Sequence, residues 1–457
     1  MAPIPAHQEH SAANAVDEAN PVPEPAQGQS TEATPDVQAA IRTASERARR
    51  AVPELAQAGR ARKDDTLIAM AQALRSHADY LLRQNGLDLE AGRENGTSQA
   101  MLDRLTLDRP RLEALATALE DLAALPDPVG DVVRGRNLPN GLRMQQIRVP
   151  LGVVGAIYEA RPNVTVDIAG LALKSGNAVI LRGGSAAAQT NRALIAILRQ
   201  TAEAQGFSAD LVQGIDDLGR AGATELMSQR GSVDVLIPRG GHDLIQSVVQ
   251  NARVPVIETG EGNVHLFIDA TAPVQMAVDI ALNAKTQRTS VCNAAETLIL
   301  HAEAEQAGTA VLSALARAGV VLHVDEAARR WLPQDLAEEQ IRPAQEEDWG
   351  REYLELEMAV KTVQSLDEAM DHIRRWSTGH TEAIVTNDLA NADRFVNEID
   401  SAAVIVNAST RFTDGGELGL GAEVGISTQK MHARGPMGLE ELTTTKWILR
   451  GSGQVRS

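Results

Sequence analysis

Cys292, the only cysteine in this chain of 457 residues, is the side chain best suited to covalent chemistry. It lies in "KTQRTSVCNAAETLIL", between a segment with helical periodicity and a segment typical of a buried strand. Lys285 and Arg288 precede it, and nearby cations favour a thiolate over a thiol. A thiolate accepts acyl groups readily, and the resulting thioester can accept a hydride. From these residues alone, the alternative is a small buried thiol without a chemical role.

Three glycine-rich segments follow predicted strands and could bind a ligand beside this cysteine. They are "RGGS" at 182–185, "PRGG" at 238–241 and "ETGEG" at 258–262. Ligands of parallel sheets bind beyond the carboxyl ends of the strands. Because "PRGG" precedes a predicted helix, the N–H groups of Gly240 and Gly241 could bind a phosphate, with a plain tight turn as the alternative. "GLGAEVG" (419–425) has the wrong spacing for a dinucleotide fingerprint.

Arg182 and Ser185 bear on the choice of dinucleotide. No acidic residue stands beside them in "RGGSAAAQ". An acid there favours a free ribose 2′-hydroxyl, whereas a cation and a hydroxyl tolerate a 2′-phosphate. The sequence therefore favours NADPH over NADH, with an exposed arginine at a strand end as the alternative.

The elements that must position these residues are of the α/β class. Helical periodicity runs over 37–130, and a polar hairpin with an Asn140-Gly141 turn follows at 131–149. From Val153 onward short apolar strands, including "VPVIE", alternate with helices, which predicts a parallel sheet, and a second α/β region begins near 261. The hairpin and the terminal "LTTTKWILR" have no obvious partner strand.

Composition excludes several classes of protein. One cysteine cannot form an internal disulfide or a cysteine zinc cage, and no other metal-binding pattern stands out, so a reducing, cytoplasmic setting is expected. The net charge of −18 and the 2% aromatic content argue against nucleic-acid binding. No apolar run approaches the roughly 18 residues of a membrane span. Residues 1–36 contain no lysine or arginine and are rich in proline and acids, which predicts a disordered tail.

Five stretches in this order resemble the aldehyde dehydrogenase superfamily, and within it the branch that reduces an acyl phosphate. They are "VPLGVVGAIYEARPNVTVDIAGLALKSGNAVILRGG", "LIPRGG", "VIETGEGNVH", "KTQRTSVCNAAETLIL" and "AEVGISTQKMHARGPMGLEELTT". The resemblance covers about residues 37–457. It implies two Rossmann-like parallel-sheet domains and a small β oligomerisation arm, and therefore a homo-oligomer. The implied regions are a cofactor-binding domain (37–130 and 150–260), a catalytic domain (261–436) and the arm (131–149 and 437–457).

The resemblance also implies roles for single residues. Cys292 matches the nucleophile and Asn163 the side-chain donor of the oxyanion hole. Glu352 matches a glutamate that holds the nicotinamide ribose, although the nearby Glu355 leaves this assignment open. Glu258, 34 residues before Cys292, matches the superfamily's general base. Because "ETGEG" departs from the usual pattern, we expect Glu258 to have a structural or cofactor-positioning role, and its catalytic role stays open.

The implied reaction is the NADPH-dependent reduction of L-glutamate 5-phosphate to L-glutamate 5-semialdehyde, with release of phosphate, the second step of proline biosynthesis from glutamate. We expect Lys285 and Arg288 to receive the phosphate. In "NASTRFTDGG" (407–416), Asn407 and Ser409, together with Arg434, are expected to bind the amino-acid end of the substrate. A separate glutamate 5-kinase would supply the acyl phosphate.

Two rival functions remain at this point. An NAD-dependent aldehyde dehydrogenase would hydrolyse the thioester instead, but Ser185 and "ETGEG" argue against it. An inactive relative could serve as a scaffold, but it would have little use for Cys292, Asn163 and the glycine turns together.

Overall fold

The computed structural model describes residues 33–159, 161–334, 336 and 338–456. The predicted acidic tail therefore lies outside the described residues, except for its last four positions. Among the described residues, no helix is both long and apolar enough to cross a membrane.

Five helices form a layer at the start of the described chain. They are α1 (Pro35–Gln57), α2 (Arg60–Ser76), α3 (Ala78–Glu94), α4 (Gln99–Leu105) and α5 (Arg109–Ala124). The first begins where the Thr34 hydroxyl accepts a hydrogen bond from the Val37 N–H, and α5 begins at an Asp108 cap. Their apolar faces, including Leu67 and Leu119, are buried against later helices of the same core.

An antiparallel hairpin follows this layer. Strand β1 (Val132–Asn137) pairs with β2 (Arg143–Pro150) across the turn at Asn140 and Gly141. Gly141 has φ of 85°, a conformation that glycine adopts without steric cost.

The first parallel sheet has four strands in the order β5-β4-β3-β6. Helices alternate with these strands along the chain, and the elements are β3 (Val153–Tyr158), α6 (Pro162–Lys174), β4 (Ala178–Arg182), α7 (Ala188–Ala204), β5 (Val212–Gly214), α8 (Gly219–Met227), β6 (Val235–Arg239) and α9 (His242–Asn251). The strand expected at "VPVIE" is absent. The segment forms only an isolated bridge between Val256 and Leu236, and Pro255 has no N–H to donate to a ladder.

The second sheet has seven strands, paired in parallel in the order β10-β9-β11-β8-β7-β12-β13. Its elements are β7 (Val264–Ile268), α10 (Val274–Thr286), β8 (Ala295–His301), α11 (Glu305–Arg317), β9 (Val321–Val324), β10 (Ile341–Pro343), β11 (Glu357–Val363), α12 (Leu366–Trp376), β12 (Thr381–Val385), α13 (Leu389–Glu398) and β13 (Ala403–Val406). The sequence-based description omitted β7, which lies between β8 and β12 and is fully buried.

The last strands complete the architecture. Two short strands, β14 (Ile426–Ser427) and β15 (Gly435–Pro436), pair with each other. Strand β16 (Thr443–Arg450) pairs antiparallel with β2, so that β1, β2 and β16 form one sheet. The two segments that lacked a partner in the sequence therefore pair with each other. Their sheet exposes Val132, Val133, Trp447 and Leu449.

Candidate active site

A cleft of about 460 Å³ lies between the carboxyl ends of the first sheet and the segments that flank β7 and β8. Of the residues singled out from the sequence, six line it: Asn163, Gly240, Gly241, Arg288, Cys292 and Glu352. The fold thus brings the predicted nucleophile, the predicted oxyanion donor and the predicted phosphate turn to one cavity. The other seven predicted site residues do not line this cleft.

Cys292 is half-buried in the loop between α10 and β8. Burial raises the pKa of its thiol to about 11, the charge of Arg239 lowers this pKa, and those of Glu423 and Glu352 raise it further. The thiol is therefore mostly protonated at neutral pH. This corrects the expectation of a depressed pKa, because Lys285 and Arg288 are not the cations that act most strongly on the sulfur.

The backbone of the Cys292 loop packs directly against Gly262. A Cβ atom at Gly262 would lie 1.5 Å from the Cys292 carbonyl oxygen, so only glycine fits this contact. The Gly262 N–H donates to Glu352 Oε1 at 2.9 Å. On the other side, Thr410 Oγ1 donates to the Asn293 carbonyl at 2.7 Å. The loop position is therefore fixed by contacts from two separate segments, and Glu352 in turn holds Gly262.

Asn163 lies in the first turn of α6, which begins at Pro162. Its Nδ2 donates to Asp167 Oδ2 at 3.2 Å, and both residues line the cleft. Burial raises the pKa of Asp167 to about 6, while the hydrogen bond from Asn163 lowers it. The Asn163 side chain is exposed to the cleft on the side of the first sheet, whereas Cys292 belongs to the second. An oxyanion held by both residues would therefore bridge the two sheets.

The predicted phosphate turn lies at the N-terminus of α9, with Gly241 as its capping residue. A carboxylate of the protein already occupies this position, because Glu159 Oε2 accepts the Gly241 N–H at 3.1 Å. Gly240 allows this approach, since a Cβ there would lie 2.8 Å from the Glu159 carboxyl carbon. The turn therefore binds an anionic group, the Glu159 carboxylate.

Arg182 ends β4, and Ser185 begins a short 3-10 turn just beyond it. The structure brings an acid to this edge from the segment after β5, because Asp216 Oδ1 accepts the Gly183 N–H at 2.6 Å. Burial raises the pKa of Asp216 to about 6, and Arg182 lowers it. An acid from another segment therefore lies beside the strand end, although "RGGSAAAQ" itself contains none. Arg182 Nε is buried without a hydrogen-bond partner among the described residues.

Glu258 is tied to Gln429 by two hydrogen bonds. Its N–H donates to Gln429 Oε1 at 3.0 Å, and its Oε2 accepts from Gln429 Nε2 at 3.3 Å. It stands outside the residues that line the cleft. Its contacts tie the segment before β7 to the segment after β14.

Lys285 cannot receive a phosphate from its position in the structure. It is fully buried and pairs with Glu296, with Nζ and Oε2 2.6 Å apart. Glu296 Oε1 also accepts the Leu354 N–H at 3.3 Å, and Leu354 has φ of 57°, which is unusual for leucine. We therefore assign Lys285 a structural role: it fixes Glu296, which supports the loop that carries Glu352.

Asn407, Ser409 and Arg434 also lie outside the cleft. The Asn407 amide bonds both backbone groups of Thr386, and the buried Ser409 hydroxyl accepts the N–H of Arg411. Arg434 pairs with Asp400 at 2.9 Å. Their polar groups are used to shape loops, so the predicted contact with the amino-acid end of the substrate is not supported for these three residues.

Several charged residues of the cleft were not assigned from the sequence. The cations are Arg104, Arg161, Arg239 and Arg411, and the acids include Asp167, Asp414 and Glu423. For two of these residues, their position next to a predicted site residue in the sequence could have indicated a place in the cleft. Arg161 stands two residues before Asn163, and Arg239 stands directly before Gly240. For Glu423, which approaches Arg239 to 3.8 Å, the surrounding glycines gave no such signal.

The comparison with protein families agrees with this geometry. The family model described as "Aldehyde dehydrogenase family" matches residues 9–329, which is more than half of the chain. The chain belongs to the aldehyde dehydrogenase family. This confirms the α/β fold class that was predicted.

Curated relatives share a more specific name. A protein of Leifsonia xyli subsp. xyli named gamma-glutamyl phosphate reductase is 59% identical over 411 residues, which is 90% of this chain and 96% of the relative. The protein of the same name from Thermobifida fusca is 54% identical over 422 residues, 92% of this chain and 100% of the relative.

Solved structures give the same result at the level of the fold. The crystal structure of gamma-glutamyl phosphate reductase from Thermotoga maritima has a TM-score of 0.87 and 42% identity, and covers 91% of this chain and 100% of its own. An acetylating aldehyde dehydrogenase from Geobacillus thermoglucosidasius has a TM-score of 0.67 at 18% identity, covering 92% and 98%. The second similarity supports the fold alone.

Proposed function

We propose that this protein is an oxidoreductase that reduces L-glutamate 5-phosphate to L-glutamate 5-semialdehyde and releases phosphate, the second step of proline biosynthesis from glutamate. The observation that carries the proposal is the shared cleft of Cys292, Asn163 and several arginines, in a chain whose relatives are named gamma-glutamyl phosphate reductase. An acyl phosphate is an anionic substrate with an electrophilic carbon, and this cleft offers both a thiol and cations.

The residues present fit a nicotinamide dinucleotide. The N-terminus of α9 presents the Gly241 N–H at an anion position, and Gly240 leaves room that a side chain would fill. Glu352 would hold the nicotinamide ribose, and Arg182 with Ser185 the adenosine ribose. When bound, the cofactor supplies the hydride. We assign NADPH because Arg182 carries a buried, unpartnered N–H, although Asp216 beside it opposes a 2′-phosphate.

Cys292 carries the acyl group in this proposal. Its sulfur attacks the acyl carbon of the substrate, the carbon–oxygen bond to phosphate breaks, and a thioester remains on the enzyme. The carbonyl oxygen that gains negative charge is held by the Asn163 side chain and the Cys292 backbone N–H. Because the pKa of the thiol is raised, Cys292 must lose its proton as the substrate binds or reacts.

Water plays no part in this reaction, which separates it from that of a hydrolytic aldehyde dehydrogenase. Such an enzyme needs a general base that activates water near the thioester. Glu258, the sequence candidate for this base, bonds Gln429 and does not line the cleft. This arrangement favours phosphate over water as the acyl partner, and gives Glu258 a structural role.

The proposal is tested in the reverse direction. The purified protein is given glutamate 5-semialdehyde and NADP, and formation of reduced cofactor is followed with and without inorganic phosphate. We expect steady turnover only with phosphate, and none in Cys292→Ala. Equal turnover without phosphate would instead establish the hydrolytic dehydrogenase.

The setting of the enzyme is also proposed rather than shown. We propose a cytoplasmic homo-oligomer that receives its substrate from a separate glutamate 5-kinase. The sheet of β1, β2 and β16 supports the oligomer, since it exposes Trp447 and Leu449 on one strand. Size-exclusion chromatography with light scattering tests it, and a monomeric protein would contradict it.

A further inference from the structure

Three arginines of the cleft, Arg161, Arg288 and Arg411, form no ion pair within the described part of the chain. Among the described residues, no carboxylate oxygen lies within 4.0 Å of their guanidinium nitrogens. Arg411 Nε donates to the Gln287 amide oxygen at 2.8 Å, while its Nη1 is buried and has no hydrogen-bond partner among the residues that the structure describes. A buried guanidinium N–H without a partner is unfavourable, because it has lost its hydrogen bonds to water. The Nη1 group of Arg411 is therefore suited to bind an anionic group in the cleft.

The three cations line the same cleft as the nucleophile. Burial lowers the pKa of Arg161 most, followed by the charges of Arg239 and Arg104, and Arg288 adds a smaller effect in the same direction. Burial also lowers the pKa of Arg411 most, Asp414 opposes it, and Arg288 lowers this pKa further. Mutual repulsion of this kind is relieved when an anion binds between the charges.

We propose that Arg161, Arg288 and Arg411 hold the phosphoryl group of the acyl phosphate and the inorganic phosphate that leaves. This inference rests on the proposed function. The acyl carbon that Cys292 attacks is bonded to a phosphate oxygen. The cations that bind the phosphoryl group must therefore lie beside the Cys292 sulfur. As the carbon–sulfur bond forms, the carbon–oxygen bond breaks and its electron pair leaves on the phosphate. A guanidinium group can donate two parallel hydrogen bonds to two phosphate oxygens. Lys285, which was predicted from the sequence to bind the phosphate, pairs with Glu296 instead.

The inference is tested through the Michaelis constant for inorganic phosphate in the reverse reaction. We expect Arg161→Gln and Arg411→Gln each to raise this constant by about 10- to 100-fold, the value of a charge-assisted hydrogen bond. The constants for the semialdehyde and NADP should change by less than about threefold, since their contacts remain. Arg394→Gln is the control: Arg394 pairs with Asp367 and Glu398 away from the cleft, and the phosphate constant should not change.

A second measurement separates loss of phosphate binding from loss of the fold. Without phosphate, semialdehyde and NADP should yield one equivalent of reduced cofactor per Cys292. The thioester forms once on each Cys292 and then persists, because no phosphate is present to accept the acyl group. Arg161→Gln and Arg411→Gln should keep this burst. Arg161→Lys retains the charge but loses the planar guanidinium that donates two parallel hydrogen bonds. Its Michaelis constant for phosphate should therefore lie between those of the wild-type protein and Arg161→Gln.

Three results would overturn the inference or its basis. A raised constant for the semialdehyde with an unchanged constant for phosphate would assign the arginines to the substrate α-carboxylate. Equal phosphate constants for the arginine, lysine and glutamine forms would exclude a role for Arg161. Turnover of the wild-type protein without phosphate would refute the proposed function itself, a result that the variants do not affect.

Discussion

Gly262→Ala should inactivate the enzyme without removing any functional group. The added Cβ would lie 1.5 Å from the Cys292 carbonyl oxygen and 2.4 Å from its carbonyl carbon, and contacts under 3.0 Å are essentially never seen. The Cys292 backbone must therefore move by about 1.5 Å or more. A displacement of 1 Å costs about 100-fold in rate when reacting atoms must be aligned. We expect kcat to fall at least that far.

The same substitution should lower stability only moderately. Overpacking a well-packed site costs about 1–3 kcal/mol, so the protein should still fold. Phosphate-dependent turnover measures the activity, and chemical or thermal unfolding measures the stability. Gly86→Ala is the control: Gly86 lies within α3 with no atom near its Cβ position, and alanine there should stabilise the protein by up to about 1 kcal/mol. If Gly262→Ala kept kcat within about threefold of wild type, the glycine would not be what positions Cys292.

Three further predictions concern charges. The alkylation rate of Cys292 by iodoacetamide should rise about tenfold per pH unit from 7 to 10, since its pKa is raised to about 11, and a plateau near pH 8 would contradict this. The Michaelis constant for NADPH should fall relative to that for NADH below pH 6, as Asp216 becomes neutral, and Asp216→Asn should show the lower ratio at every pH. Lys285→Met should destabilise the fold by about 3–5 kcal/mol, because Glu296 stays buried without its partner, and equilibrium unfolding in urea should detect the loss without a change in the phosphate constant.

The sequence was sufficient to predict those parts of the fold and of the site that depend on a local pattern of residues. The helix that begins after "PRGG", the loop that carries Cys292 and the hairpin turn are all short-range features, with glycines or prolines at their ends. The alternation of strands and helices also predicted parallel sheets. Strand β7 was missed although "VHLFI" is apolar, because His265 interrupts the run. Its ring is buried against Glu382, a partner that lies 117 residues away.

The partners of the charged residues could not be predicted from the sequence in the same way. Lys285 and Arg288 stand three positions apart in sequence, yet one is buried in an ion pair and the other is exposed at the cleft. Asp216 reaches Gly183 across 33 residues, so the edge that looked free of acids contains one. Which cation meets which acid depends on the order of the strands. That order is set by tertiary packing, and no local pattern encodes it.

The Glu159 carboxylate accepts the Gly241 N–H at the N-terminus of α9. If the dinucleotide binds there as proposed, its diphosphate must take the place of this carboxylate. The affinity measured for the cofactor is then the intrinsic affinity reduced by the fraction of molecules in which Glu159 is displaced. In this binding mode a weaker hold by Glu159 would raise the apparent affinity for the dinucleotide, because more molecules would be ready to bind it.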